Sequence, residues 1–305
     1  MPSIATLTLL AATAAPLALA QLSSSKRGLC YVSSSTASDD DKIWDESGSD
    51  LTWYYNYGAS PTSEYDGKLN FVPMLWGAPS SDTDMTFYNT VKGLIDGGMN
   101  ISYVLAFNEP DGCTSGGSCV AADTAAETWI REIEPLKKLG VKLGAPAVTG
   151  APTGFTWLQN FFTACAGNCS ADFLPLHWYG NFEGLASHVG QANATYENMT
   201  MWVTEYAYAD ADLSDSQEFY NQSAAFFDRI DYITHYSYFG AFRSDTSNVG
   251  VDTAMLTQKG ELTDIGAWYL GMEETGNKPK GGAAQVAKFA GWMAVVVVAA
   301  FWTMA

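Results

Sequence analysis

Short apolar runs, most of them followed by a stretch with helical spacing, recur along the middle of the chain. Eight runs read as strands: Gly28–Val32, Leu51–Tyr57, Asn70–Leu75, Ile101–Phe107, Val141–Val148, Phe173–Tyr179, Met201–Tyr206 and Tyr232–Phe242. Between them, Met85, Tyr88, Val91, Leu94 and Ile95 form one stripe at helical spacing, and Trp129, Ile133, Leu136 and Leu139 form another. Thr156–Thr163, Asp215–Asp231 and Leu262–Glu274 read as further helices. Alternating strand and helix units predict an α/β fold with a parallel sheet, and eight of them predict a single (β/α)8 TIM barrel. An open doubly wound sheet is the rival, but no glycine-rich phosphate loop follows any early strand. The stretch 28–275 also suits the length of about 250 residues typical of such a barrel.

The two ends lack this alternation. Met1 to Ala20 carries no charged side chain and ends Leu17-Ala18-Leu19-Ala20, which predicts a signal peptide over 1–20. Residues 21–27 read as a short pro-segment or linker. Their Lys26-Arg27 is either a dibasic processing site or two surface charges before the first strand. At the other end, Phe289 to Ala305 is again uncharged and includes Val295-Val296-Val297-Val298. A spacer over 276–288 precedes it, with a small-residue cluster at Gly281-Gly282-Ala283. This layout predicts a glycosylphosphatidylinositol signal attached at Asn277, Gly281 or Gly282, its hydrophobic tail over 289–305 removed. A plain C-terminal membrane anchor is the alternative. The expected location is secreted, at the cell surface or wall, with membrane contact only through the lipid anchor.

Composition removes several function classes. Lys and Arg number 15 against 33 Asp and Glu, a net charge of −18 that repels phosphate backbones and excludes nucleic acid as a partner. Hydrophobic residues at 47% against 16% charged exclude a disordered chain. The close pairs Cys113 with Cys119 and Cys165 with Cys169 read as loop disulfides of an oxidising compartment, leaving Cys30 as a free buried thiol. Glycosylation sequons occur at Asn100, Asn168, Asn193, Asn198 and Asn221. Asn168 adjoins Cys169, so early disulfide closure leaves the other four as the expected sites. No Cys/His spacing suggests a metal, and no cofactor is expected; the chain is expected to act as a monomer.

Barrel active sites lie at the C-terminal ends of the strands, and polar residues break the apolar runs there. The fourth run ends in Asn108-Glu109-Pro110. Period-two alternation puts Tyr103, Leu105, Phe107 and Glu109 on one face, predicting a carboxyl among aromatic walls with a raised pKa, fit for a general acid. On the seventh run, Met201, Val203 and Glu205 share a face. Two carboxylates facing each other across a barrel mouth, about 5–5.5 Å apart, are what retaining glycoside hydrolysis requires. His177 and Tyr179 alternate onto one face of the sixth run, where either can bond the nucleophile or a sugar hydroxyl. Trp53, Trp76, Trp178 and Tyr179 lie at or near run ends, where flat rings suit the apolar faces of glucose.

Taken in order, Trp53-Tyr54-Tyr55-Asn56-Tyr57, Phe71-Val72-Pro73-Met74-Leu75-Trp76-Gly77, Phe107-Asn108-Glu109-Pro110, Gly144-Ala145-Pro146-Ala147, His177-Trp178-Tyr179 and Thr204-Glu205-Tyr206 resemble glycoside hydrolase family 128, which includes fungal alkali-sensitive linkage proteins. The resemblance runs from Gly28 to about Thr275. It implies a (β/α)8 barrel that cleaves β-1,3-glucan with retention in fungal wall remodelling. By the same resemblance Glu109 is the acid/base, Glu205 the nucleophile, and Asn108 a contact for the sugar 2-hydroxyl. Endo action is favoured, although the Cys113–Cys119 loop after the acid can close one end of the cleft. Two rivals stay open: a β-1,3-glucan transglycosylase, and a lectin-like wall protein that binds β-glucan with little turnover.

Overall fold

A computed structural model of the chain describes residues 23–34, 37–114 and 116–281. The expected signal peptide over 1–20, the hydrophobic tail over 289–305 and the attachment candidate Gly282 lie outside these residues. All eight expected strands form: β1 (Gly28–Cys30), β2 (Trp53–Tyr55), β3 (Asn70–Phe71), β4 (Tyr103–Val104), β5 (Lys142–Leu143), β6 (Phe173–Tyr179), β7 (Thr200–Ala207) and β8 (Ile233–Tyr238). They pair in parallel in three sheets, ordered β1-β2-β3, β4-β5 and β6-β7-β8. Isolated parallel bridges, Met74 to Leu105, Gly144 to Phe173 and Arg27 to Tyr236, link neighbouring sheets. The α/β class is as the alternation predicts.

The helices are α1 (Thr86–Asp96), α2 (Ala122–Thr128), α3 (Pro152–Ala164), α4 (Phe182–Thr195), α5 (Leu213–Arg229) and α6 (Asp264–Tyr269). α4 has no counterpart in the sequence reading. Its signals are a capping Asn181, whose side chain accepts from Gly184 N at 3.1 Å, and a buried stripe of Leu185, His188, Val189 and Ala192. The stripe expected over Trp129–Leu139 is not one α-helix. α2 passes into a π turn over Trp129–Ile133 and a 3-10 turn over Glu134–Leu139, because Pro135 has no N–H to continue an α ladder. None of the described helices is long and apolar enough to cross a membrane.

Two apolar clusters form. The larger packs helices against strands, through residues such as Val91, Leu158 and Phe219 facing Val104, Leu143 and Val203. The smaller comes only from strands and the residues directly after them, including Cys30, Tyr55, Met74, Leu105, Phe173 and Trp202. It defines an inner face turned away from the helices. Trp53 belongs here, and this corrects its expected role as a sugar platform. It is 3% exposed, with its ring 4.9 Å from that of Trp202 and its indole N–H donating to Lys26 O at 3.2 Å. It pairs with Gly28, the first residue of β1, so it lies at the N-terminal ends of the strands. A Cβ at Gly28 would come within 2.1 Å of the Trp53 ring, so only glycine fits there.

Residues 23–27, expected as a pro-segment or linker, are built into the domain. Lys26 Nζ donates to Phe227 O at 2.8 Å and to Ile230 O at 3.0 Å. Arg27 is 1% exposed; it pairs with Asp50 at 2.8 Å and donates to Tyr236 Oη at 3.0 Å and Trp268 O at 2.9 Å. Cleavage after Arg27 would have to pull this buried charge out of its cage. At the far end, Asn277 Nδ2 donates to Leu262 O at 2.9 Å and Lys280 N to Ser244 Oγ at 3.1 Å, so the expected spacer begins as part of the folded unit. Arg27→Ala leaves Asp50 buried without its cation. The expected loss is about 3–5 kcal/mol of unfolding free energy, read from the midpoint of urea denaturation.

Candidate active site

The inner face at the C-terminal ends of the strands carries the chemistry, and a β-bulge puts Glu205 there. Leu176 pairs with Val203 but His177 pairs with Glu205, so Thr204 is an extra residue on β7. The β7–β8 register shifts across the same residues, from Val203 with Tyr236 to Tyr206 with Tyr238. Strict alternation would put Glu205 on the side of Met201 and Val203, which pack in the helix-side cluster, opposite Trp202 in the inner one. The bulge resets the phase and turns Glu205 inward. The Thr204 carbonyl does not go unpaired: Tyr55 Oη donates to it at 2.9 Å, and Ser237 Oγ also donates to it.

Glu205 is held on both carboxylate oxygens. Tyr57 Oη donates to Oε1 at 2.7 Å and Tyr179 Oη to Oε2 at 2.6 Å. Burial, with Glu205's charge adding to it, raises both phenol pKa values well above the ordinary range, so both remain donors. Tyr57 was not singled out from the sequence. It follows the Asn56 turn after β2 and takes a left-handed backbone, φ 60°, uncommon for an aromatic residue.

Glu109 stands in a tight turn of its own, at φ 41°, with its N–H bonded to Ala147 O at 2.7 Å. Its Oε1 lies 3.0 Å from His177 Nδ1, which is also 3.4 Å from Glu205 Oε2. His177 is fully buried between the two carboxylates. Burial opposes its charge, but Glu205, Glu109 and Asp111 outweigh that and raise its pKa above the ordinary 6.5. For Glu109 burial acts upward, yet the bond and charge of His177 win and lower its pKa. This reverses the raised pKa expected from aromatic walls alone. Phe107, expected on Glu109's face, packs instead in the helix-side cluster with Ala106.

Among the described residues, Glu109, His177 and Glu205 form the one group of donor atoms close enough to hold a metal, all within 4.8 Å of one another. Glu109 and Glu205 open on a cleft of about 440 Å³ whose walls include Trp76, Asn108, Tyr179 and Phe239, with His177 buried behind them. Trp76 is 41% exposed, as a stacking platform requires. Asn108 Nδ2 donates to Gly116 O at 2.9 Å, while its Oδ1 is buried without a partner. A larger groove of about 560 Å³ between α3 and α4 has Tyr196 as its only titratable side chain and offers no chemistry.

Trp178, expected as a platform, is not part of the cleft. It alternates away from His177 toward α4, packing 5.3 Å from His188 with its N–H on Asn181 O at 3.0 Å. Both expected disulfides, Cys113–Cys119 and Cys165–Cys169, form. Asn100 and Asn198 are exposed between elements, whereas Asn193 and Asn221 are half-buried on α4 and α5.

Comparison with known proteins gives the family. Residues 28–269 match the family described as glycosyl hydrolase catalytic core. A curated relative, alkali-sensitive linkage protein 1 of Schizosaccharomyces pombe, is 27% identical over 256 residues, covering 81% of this chain and 44% of the relative. The chain thus spans less than half the length of that relative. A glycoside hydrolase family 128 curdlan-specific exo-β-1,3-glucanase from Blastomyces gilchristii, solved with glucose, is 28% identical with a TM-score of 0.65, covering 81% of this chain and 98% of that one. An endo-β-1,3-glucanase of the same family from Sorangium cellulosum is 25% identical with a TM-score of 0.66, covering 82% and 99%. The chain belongs to the glycosyl hydrolase catalytic core family and, within it, to glycoside hydrolase family 128.

Proposed function

We propose that this chain is a retaining β-1,3-glucanase acting in the wall of a fungus, with its strands closed as a (β/α)8 barrel. The observation that carries the reading is the distance between the carboxylates. An oxygen of Glu109 and one of Glu205 lie within 4.8 Å of each other, which suits a direct nucleophile and falls short of the roughly 6.5–9.5 Å that separates the carboxyls of an inverting pair. Glu205 attacks the anomeric carbon while Glu109 protonates the leaving oxygen; in the second step Glu109 takes a proton from water and the glycosyl ester is hydrolysed. The proton on His177, 3.0 Å from Glu109, is the reserve from which the acid is supplied. Trp76 stacks on a glucose ring, and the unpartnered Asn108 Oδ1 accepts from a sugar hydroxyl. Chain-internal cleavage is favoured, with secretion and a lipid anchor holding the protein at the wall.

Incubation with laminarin and laminari-oligosaccharides tests this, with products separated by mass and their anomers followed by NMR. A ladder of short products released as β-anomers is expected. A single small product means exo action, α-anomers overturn retention, and binding without cleavage replaces the enzyme with a lectin-like wall protein.

A further inference from the structure

Cys30 is the chain's one free thiol, the other four cysteines being paired. It is 1% exposed on the inner face of β1, behind the candidate site. Its Sγ lies 2.9 Å from Tyr57 Oη. Tyr57 has a single hydroxyl proton, and that proton is committed to Glu205 Oε1, since an ionised carboxylate only accepts. The thiol is therefore the donor and the Tyr57 oxygen the acceptor. The result is a directed chain from Cys30 S–H to Tyr57 O–H to Glu205 Oε1. Tyr55 also lies beside the thiol, but its own hydroxyl is donated to Thr204 O, so it supplies Cys30 no proton. Burial first, and Glu205's charge second, hold the thiol far above its ordinary pKa, so the proton it donates stays in place.

We infer that Cys30 is a positioning residue for the nucleophile, acting through Tyr57. The inference rests on Glu205 being the nucleophile of the proposed reaction. A donor behind Tyr57 polarises its hydroxyl and strengthens the bond to Oε1. It also fixes the phenol of a residue held in a left-handed backbone that such side chains rarely adopt. Glu205 then meets the anomeric carbon with one oxygen already tethered, and the effect falls on the glycosylation step, not on substrate binding.

Two measurements test this. A single free thiol gives a single S–H stretching band in the infrared, and Tyr57→Phe removes the acceptor 2.9 Å away. The band is expected to move to higher frequency in Tyr57→Phe, and an unmoved band overturns the hydrogen-bond chain whether or not the protein is an enzyme. The second is the rate at which 2-deoxy-2-fluoro-laminaribiosyl fluoride labels Glu205. Cys30→Ser keeps a donor and is expected to label at close to the wild-type rate, while Cys30→Ala slows roughly five-fold with KM for laminari-oligosaccharides unchanged. Equal slowing in both variants would assign Cys30 to packing alone and overturn the role, as would a wild-type rate in Cys30→Ala. A wild-type protein that takes no label at Glu205 overturns the nucleophile assignment itself, and the infrared band then shows separately whether the chain of donors exists.

Discussion

Glu205→Gln lowers kcat on laminari-oligosaccharides by on the order of 10⁴-fold and leaves the protein folded. The amide matches the carboxylate in shape but cannot form the glycosyl ester, so the loss falls on chemistry. A cost to stability is also expected. Tyr57 and Tyr179 each donate to one carboxylate oxygen, and in the variant one of them faces an NH2 that is itself a donor. Leaving that buried pair mismatched costs about 1–3 kcal/mol, visible as a lower urea midpoint. Glu109→Gln behaves differently. It removes the proton donor but keeps the nucleophile, so a substrate with a dinitrophenyl leaving group, which needs no protonation, still labels Glu205 in a burst. Activity surviving in Glu205→Gln, or no difference between leaving groups in Glu109→Gln, would exchange or remove the two roles.

The elements were legible because the apolar runs are bounded by polar loops, and each of the eight runs overlaps one of the observed strands. The site was legible in residue type but not in direction. Alternation from Met201 points to Glu205, but without the extra Thr204 that phase leads to the helix side. The groups that stabilise the bulge, Tyr55 and Ser237, lie on two other strands, so no local pattern marks it. Trp53 and Trp76 look alike in sequence. Their fates divide on strand register, since Trp53 pairs with Gly28 at the start of β1 while Trp76 lies beyond β3 at the other end. Tyr57 was hidden among neighbouring aromatics, and only its left-handed backbone brings its hydroxyl to Glu205. The sign of the Glu109 pKa shift depends on His177, 68 residues away in sequence.

That sign has a consequence for pH. Taken alone, a Glu109 with a lowered pKa would lose its proton in acid, and the alkaline limb of kcat/KM would fall below the ordinary carboxyl value of 4.5. The limb is expected instead above 6.5, the ordinary value from which His177 is raised. Glu109, His177 and Glu205 are in mutual contact, with Asp111 adding its field, and they titrate as one set. The acid step needs one proton in that set, and resting on His177 Nδ1 it is one short transfer from Glu109 Oε1. It is lost only when His177 titrates, and two carboxylates hold it against burial. His177→Asn removes the reserve and the cation together, so burial alone then acts on Glu109 and raises its pKa from below. The alkaline limb of the variant therefore moves to lower pH, toward the carboxylate range, and an unmoved limb would separate His177 from the proton. Stability follows the same linkage. The His177 contribution is complete below 6.5 and fades as pH rises through its native pKa, while the Glu109 contribution is complete above 4.5 and fades as pH falls through its own. Both are present between those values, so the gap in urea midpoint between wild type and His177→Asn is widest there and narrows on either side.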